Sequence, residues 1–176
     1  MNRHLADTAA PGGHRYLVRV YLEDTDAGGI AYHASYLRFA ERGRTEALRD
    51  LGLPHAEMVR LHGAMFVVRR LKIDYLRPAR FDDLLTVITT PLQVKAASVL
   101  VAQSVEGSGG ELLVDMELLL ACARVSDGRA VRLPAAWHEA LIAMHAQGAG
   151  ADSPAGDTDA ARRAASQDAP SGARRD

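Results

Sequence analysis

One long amphipathic helix followed by an almost uninterrupted run of long strands is the feature that most narrows the folds open to this chain. Tyr36, Phe39, Ala40, Gly43, Ala47, Leu48 and Leu51 recur at helical spacing. Arg38, Glu41, Arg42, Arg44, Glu46 and Arg49 fill the opposite face. The helix stops near Gly52, with Pro54 just beyond, and a short second helix is expected over 54–62. The strand-forming stretches 65–75, 84–94, 98–106 and 111–125 come next, punctuated by the glycine-rich turn at 107–110 and by Asp127-Gly128. Before the helix, Tyr16, Val18 and Val20 alternate with Leu17, Arg19 and Tyr21, a short strand apolar on more than one face. Pro91 implies an edge position or a bulge in its strand. After Leu133-Pro134, residues 135–145 read as a last helix. The class is α+β: a mostly antiparallel sheet with one principal helix to cover it. One helix leaves the far side of such a sheet bare, so oligomerisation is expected.

The ends of the chain set the domain boundaries. Residues 1–13 are polar and close on Pro11-Gly12-Gly13, which reads as a flexible arm. Residues 148–176 contain no Leu, Ile, Val, Phe, Met, Tyr or Trp. Such a stretch cannot bury enough apolar surface to offset its ordering entropy, and it reads as a disordered tail. A single folded domain is thus expected over 14–147. With a formal net charge of -1, the chain has no global field favouring nucleic acid or an anionic membrane. The lone Cys122 sits in an apolar run and reads as a buried, inert thiol in a reducing compartment. No segment approaches the ~20 apolar residues of a membrane span. The first residues also lack the apolar stretch of a signal peptide. The expected location is the cytoplasm.

Ahead of the long helix lies EDTDAGGIAYHASY, residues 23–36, with three acids in four positions, two glycines and then a histidine. Acids crowded together repel, and three readings account for keeping them. A calcium loop would begin at Asp24, but its fifth position is Gly28 and its twelfth is Ser35, where a bidentate Glu belongs. For zinc, Asp26 and His33 make only two ligands, so no metal is expected. Helix capping explains one acid, not three. The third reading is catalytic: Gly28 and Gly29 let the backbone curl so that Asp26 faces the free amides near Tyr32 to Ala34. A carboxylate opposite such amides provides a nucleophile or base and an oxyanion binder.

Residues 20–52, VYLEDTDAGGIAYHASYLRFAERGRTEALRDLG, resemble the signature of the hotdog-fold acyl-CoA thioesterases. The match is to the YbgC type associated with Tol–Pal, within the wider 4-hydroxybenzoyl-CoA thioesterase family. The similarity lies in acid-Thr-Asp, paired small residues, Tyr-His and Tyr-Leu-Arg-Phe, with the family-like LKIDYLRPARFDDLLTV following at 71–87. The resemblance implies a hotdog fold, a long central helix wrapped by a curved antiparallel sheet, assembled as a homodimer or homotetramer. It implies Asp26 as the catalytic carboxylate and the backbone amide at His33 as the group polarising the thioester carbonyl. Ala31 stands where the family commonly has Val. Gly28, Gly29, Tyr32 and Tyr36 are the candidate substrate-pocket residues, the tyrosines as wall or core. Asp24 and Glu23 read as structural, bonding turn amides or pairing with basic residues.

The expected reaction is hydrolysis of an acyl-CoA thioester, without a cofactor. A thiolate leaves with little acid help, so a carboxylate and an oxyanion site suffice. Direct attack by Asp26 and activation of water by Asp26 both remain open, and so does acyl carrier protein as the donor in place of coenzyme A. Arg69, Arg70, Lys72, Arg77, Arg80, Lys95 and Arg124 are the cations from which the coenzyme's phosphates would be bound. Two rival functions fit the same fold: a hydratase or dehydratase on acyl thioesters, and a non-catalytic acyl-thioester or protein-binding module.

Overall fold

The computed structural model describes residues 13–149, so residues 1–12 of the expected arm and the tail from residue 150 lie outside the described residues. The elements run β1 (His14–Arg19), a 3-10 turn (Leu22–Asp24), α1 (His33–Asp50), α2 (His55–His62), β2 (Ala64–Tyr75), β3 (Leu84–Lys95), β4 (Ser98–Glu106), β5 (Leu112–Arg124) and α3 (Ala135–Ala149). The last helix thus runs two residues past the expected domain end at 147. All strands join one five-stranded sheet of order β1-β3-β4-β5-β2, every neighbouring pair antiparallel. This is the arrangement that the hotdog resemblance implies.

Strand alternation assigns one face to the core. Leu85 and Val87 of β3, Val99, Val101 and Val105 of β4, and Val114, Met116 and Leu118 of β5 are buried. Against them α1 sets Tyr36, Phe39, Ala40 and Leu48, burying apolar side chains at roughly 1.5–3 kcal/mol each. Gly43 is what lets α1 approach β3: a Cβ there would lie 2.8 Å from Val87 Cγ1. The turn of α2 contributes Met58, and α3 contributes Trp137 and Leu141. The Trp137 indole donates to the Leu53 carbonyl at 3.0 Å, tying α3 to the α1–α2 connection. All three helices pack on this one face. The other face carries rows such as Arg15–Ile88–Ser104–Asp115–Asp74 across the five strands.

Two local expectations, for Leu51 and Arg44, are corrected, while those for β1 and Pro91 hold. Val18 of β1 is buried and Leu17 exposed, so the strand carries apolar residues on both faces, as expected. Of the two positions open to Pro91, the structure has the bulge: β3 lies between β1 and β4, and the register shifts between Pro91 and Gln93, which accommodates the missing N–H. Leu51, placed in the apolar stripe of the helix, is exposed where the helix unwinds. Arg44, placed on the polar face, is buried. Its guanidinium donates to Gln103 Oε1 of β4 at 2.6 Å and pairs with Glu41. Gln103 Nε2 donates in turn to the Ala40 carbonyl and to Thr89 Oγ1, both at 2.9 Å. A polar partner waiting on the sheet, invisible to helical periodicity, draws Arg44 inward.

Candidate functional site

The acidic loop folds back on itself and is stapled to the start of α1. Thr25 and Ala31 form an isolated bridge. Between them, Asp26 N–H donates to the Ile30 carbonyl at 2.9 Å and Gly29 N–H to the Asp26 carbonyl at 3.0 Å. Gly29 closes this turn at φ 73°, a conformation that favours glycine. The Gly28 amide donates to Asp26 Oδ1 at 2.7 Å, fixing the carboxylate by its own turn. Ala31 N–H donates to the Ala79 carbonyl at 2.8 Å, holding the loop against the segment that follows β2.

The three acids separate by role. Asp24 is buried, its Oδ2 accepting from the Tyr21 amide at 3.1 Å and its Oδ1 lying 3.6 Å from the Arg38 guanidinium. Its carbonyl accepts from Tyr32 N–H at 2.7 Å and from the Ser35 hydroxyl at 3.0 Å. It is therefore the brace between loop and helix, the structural role expected of it. Glu23 is exposed in the 3-10 turn. Asp26 does neither job. It is exposed, and the N-cap of α1 is Tyr32, with no side-chain cap.

What the loop leaves open is the first turn of α1. Of the amides expected to be free, that of Tyr32 is taken by the Asp24 carbonyl, which corrects that part of the reading. Ser35 N–H is also taken, by the Tyr32 carbonyl at 2.8 Å. Among the described residues the amides of His33 and Ala34 have no hydrogen-bond partner. They carry the positive end of an 18-residue helix.

A groove of about 350 Å³ opens beside this turn, lined by Asp26, Ile30, Ala31, His33, Tyr36, Tyr75, Leu76, Arg77 and Pro78. It brings together Asp26, His33 and Tyr36 from the predicted set. Gly28 and Gly29 lie behind Asp26 in its turn and do not line the groove, nor does Tyr32, whose ring rests on that of His33 at 4.3 Å. Tyr36 is the floor: it is 3% exposed, and its hydroxyl oxygen accepts from Ala79 N–H at 2.8 Å. Burial raises its pKa, only partly offset by that amide bond, so the phenol keeps its proton. The opposite wall, Tyr75 to Pro78, was missed by sequence reasoning apart from Arg77 as one of seven cations. Its place beside the helix is non-local: the Ala31–Ala79 bond and the Ile30–Arg80 bridge bring the segment after β2 to the loop ahead of α1. A smaller cavity of about 50 Å³, mostly apolar, lies along the C-terminal half of α1 between Leu48, Phe66, Val101 and Met144, and shares no residue with the groove.

Known proteins of similar sequence and shape share this framework. The thioesterase superfamily profile matches residues 28–114, beginning just after Asp26. The chain is 42% identical over 108 residues to the acyl-CoA thioester hydrolase YbgC of Escherichia coli O6:H1, covering 61% of this chain and 80% of that one. It is 50% identical over 91 residues to the acyl-CoA thioesterase YbgC of Haemophilus influenzae, covering 52% and 67%. A probable thioesterase from Bartonella henselae superimposes with a TM-score of 0.65 at 37% identity, over 69% of this chain and 98% of that one.

Proposed function

The chain belongs to the thioesterase superfamily, and from that membership we propose that it hydrolyses acyl-coenzyme A thioesters through Asp26 and the amino-terminal turn of α1. The observation that carries the reading is the juxtaposition in one groove of a carboxylate that caps no helix and a helix turn whose first amides are unpaired. The thioester carbonyl oxygen is held by the His33 amide, where negative charge develops as the carbonyl is attacked. Two routes use the same geometry. In one, a carboxylate oxygen of Asp26 attacks the carbonyl carbon, the C–S bond breaks, the thiolate departs and water cleaves the resulting mixed anhydride. In the other, Asp26 takes a proton from water as the water oxygen attacks, and the tetrahedral oxyanion collapses to expel the thiolate.

Tyr36 and the Tyr75 ring wall the acyl or pantetheine arm. Gly28 holds the Asp26 carboxylate, Gly29 shapes the turn, and Tyr32 backs the His33 ring. The His33 imidazole, facing the same groove, is placed to orient water or the carbonyl. Arg77, at the groove and bonded at 3.4 Å to the Leu112 carbonyl, is the cation we assign to the coenzyme's phosphates. The edge strand β2 has a strand partner on one side only among the described residues. We place there the β2–β2 pairing of a homodimer, with a homotetramer as the higher assembly. Acyl carrier protein is the alternative donor, the cytoplasm the compartment in which either substrate is met, and Tol–Pal the physiological setting, the last on resemblance alone. Initial rates on acyl-CoAs from short to long, plus an aromatic one, test the reading. Turnover of at least one is expected; tight binding with no turnover across the panel would replace it with a binding module.

A further inference from the structure

We infer that Tyr75 is a positioning residue for the proposed reaction, acting through the peptide unit that joins His33 to Ala34. Its phenol donates to the His33 carbonyl at 3.1 Å, across 42 residues of sequence. That carbonyl and the unpaired Ala34 N–H belong to one planar amide. Hydrogen bonding to its oxygen draws electrons from its nitrogen and makes the N–H a stronger donor. The effect falls on the turn where the oxyanion is to be held, one residue from the His33 amide.

The tyrosine is well anchored for this. It is the last residue of β2 and pairs with Val114 of β5. The next two amides, of Leu76 and Arg77, both donate to the Leu113 carbonyl, at 2.8 and 3.1 Å. The backbone is thus held by the sheet while the ring spans to the helix. There it meets the His33 ring edge-on at 6.3 Å and the Tyr36 ring at 5.9 Å. Burial of the phenol raises its pKa, which keeps the proton on the donor. Tyr75 is nonetheless 46% exposed, its ring lying at the groove rather than in the core. Its bond and its two ring contacts all point at the first turn of α1.

The inference rests on the thioester-hydrolysis reading, so its test has one readout in turnover and one that needs none. Tyr75→Phe keeps the ring and removes only the hydroxyl; Tyr75→Leu removes both. For Tyr75→Phe on an acyl-CoA that the wild type hydrolyses, kcat is expected to fall about three- to tenfold, with KM within about twofold. Tyr75→Leu should lower kcat further and raise KM, because a groove wall is lost. In amide NMR spectra of the free protein, the ¹⁵N resonance of Ala34 should show the largest shift of any helix amide in Tyr75→Phe. Wild-type kcat with an unmoved Ala34 resonance overturns the inference. So does a fall in kcat with Ala34 unmoved, a rise in KM alone, or a lowered melting temperature with kcat intact. If the wild type hydrolyses no acyl-CoA, the thioesterase reading fails separately. The Ala34 resonance then decides alone whether the phenol polarises that amide.

Discussion

Replacing Asp24 by asparagine distinguishes a brace from a catalyst at two acids only two residues apart. In the wild type the buried carboxylate accepts from the Tyr21 amide at 3.1 Å and faces Arg38 at 3.6 Å. Asparagine keeps an oxygen for Tyr21 N–H, so that bond survives as a neutral one, at a loss of about 1 kcal/mol relative to a charge-assisted bond. The Arg38 guanidinium is about half exposed, so its pairing contributes only about 0.5 kcal/mol. Together the loss is about 1–2 kcal/mol, or roughly 2–8 °C in melting temperature for a domain of this size. Asp24→Ala should cost more, since it leaves the Tyr21 amide unpaired, and Arg38→Gln less. Thermal melts of the three variants, with turnover measured well below the transition, make the comparison. The expected order is alanine worst and Arg38→Gln mildest, with kcat close to wild type in Asp24→Asn. An unchanged melting temperature together with a collapse of kcat in Asp24→Asn would refute the division of labour between Asp24 and Asp26.

Gln103→Leu should destabilise by about 2–4 kcal/mol, because it leaves Arg44 Nη1 without its acceptor, with only the Glu41 pair remaining to that buried guanidinium, and removes the donor to Ala40 and Thr89; a denaturant midpoint equal to wild type would contradict the network. Turnover at low temperature should survive that change, since none of these side chains lines the groove. His55 is half-buried beside α1, and desolvation lowers its pKa from 6.5. The unfolded chain therefore takes up the proton first, and stability is lost as pH falls below about 6.5 through the folded pKa. His55→Gln should flatten that decline between neutral and mildly acidic pH, and melting curves with the same slope in both proteins would show that His55 is not its source.

Much of the fold was legible because its periodicities are local. Six of the seven apolar positions assigned to α1 are buried, and four long strands with tight turns leave little choice but an antiparallel sheet. The exceptions are physical rather than statistical. Arg44 reads as surface because helical spacing knows nothing of Gln103, 59 residues away. Pro91 offered an edge or a bulge, and only the strand order selects the bulge. The site divides in the same way. Asp26, His33 and Tyr36 belong to one continuous stretch and are read together, whereas Tyr75 meets His33 across 42 residues, where the segment after β2 docks on the loop ahead of α1. The Asx turn at Gly28 is also below the resolution of spacing: two glycines promise a turn, not that one amide will hold the Asp26 carboxylate.

The claim on which the account turns is that Asp26 performs the chemistry, and Asp26→Asn tests it most directly. Asparagine retains an oxygen to accept from the Gly28 amide, so the turn, the groove and the melting temperature should be preserved. Single-turnover and steady-state rates on the best acyl-CoA substrate should then fall by roughly 10²–10⁴-fold or more, with binding of that substrate retained. A variant that melts like the wild type and still hydrolyses the thioester at a near-normal rate would contradict the assignment of Asp26.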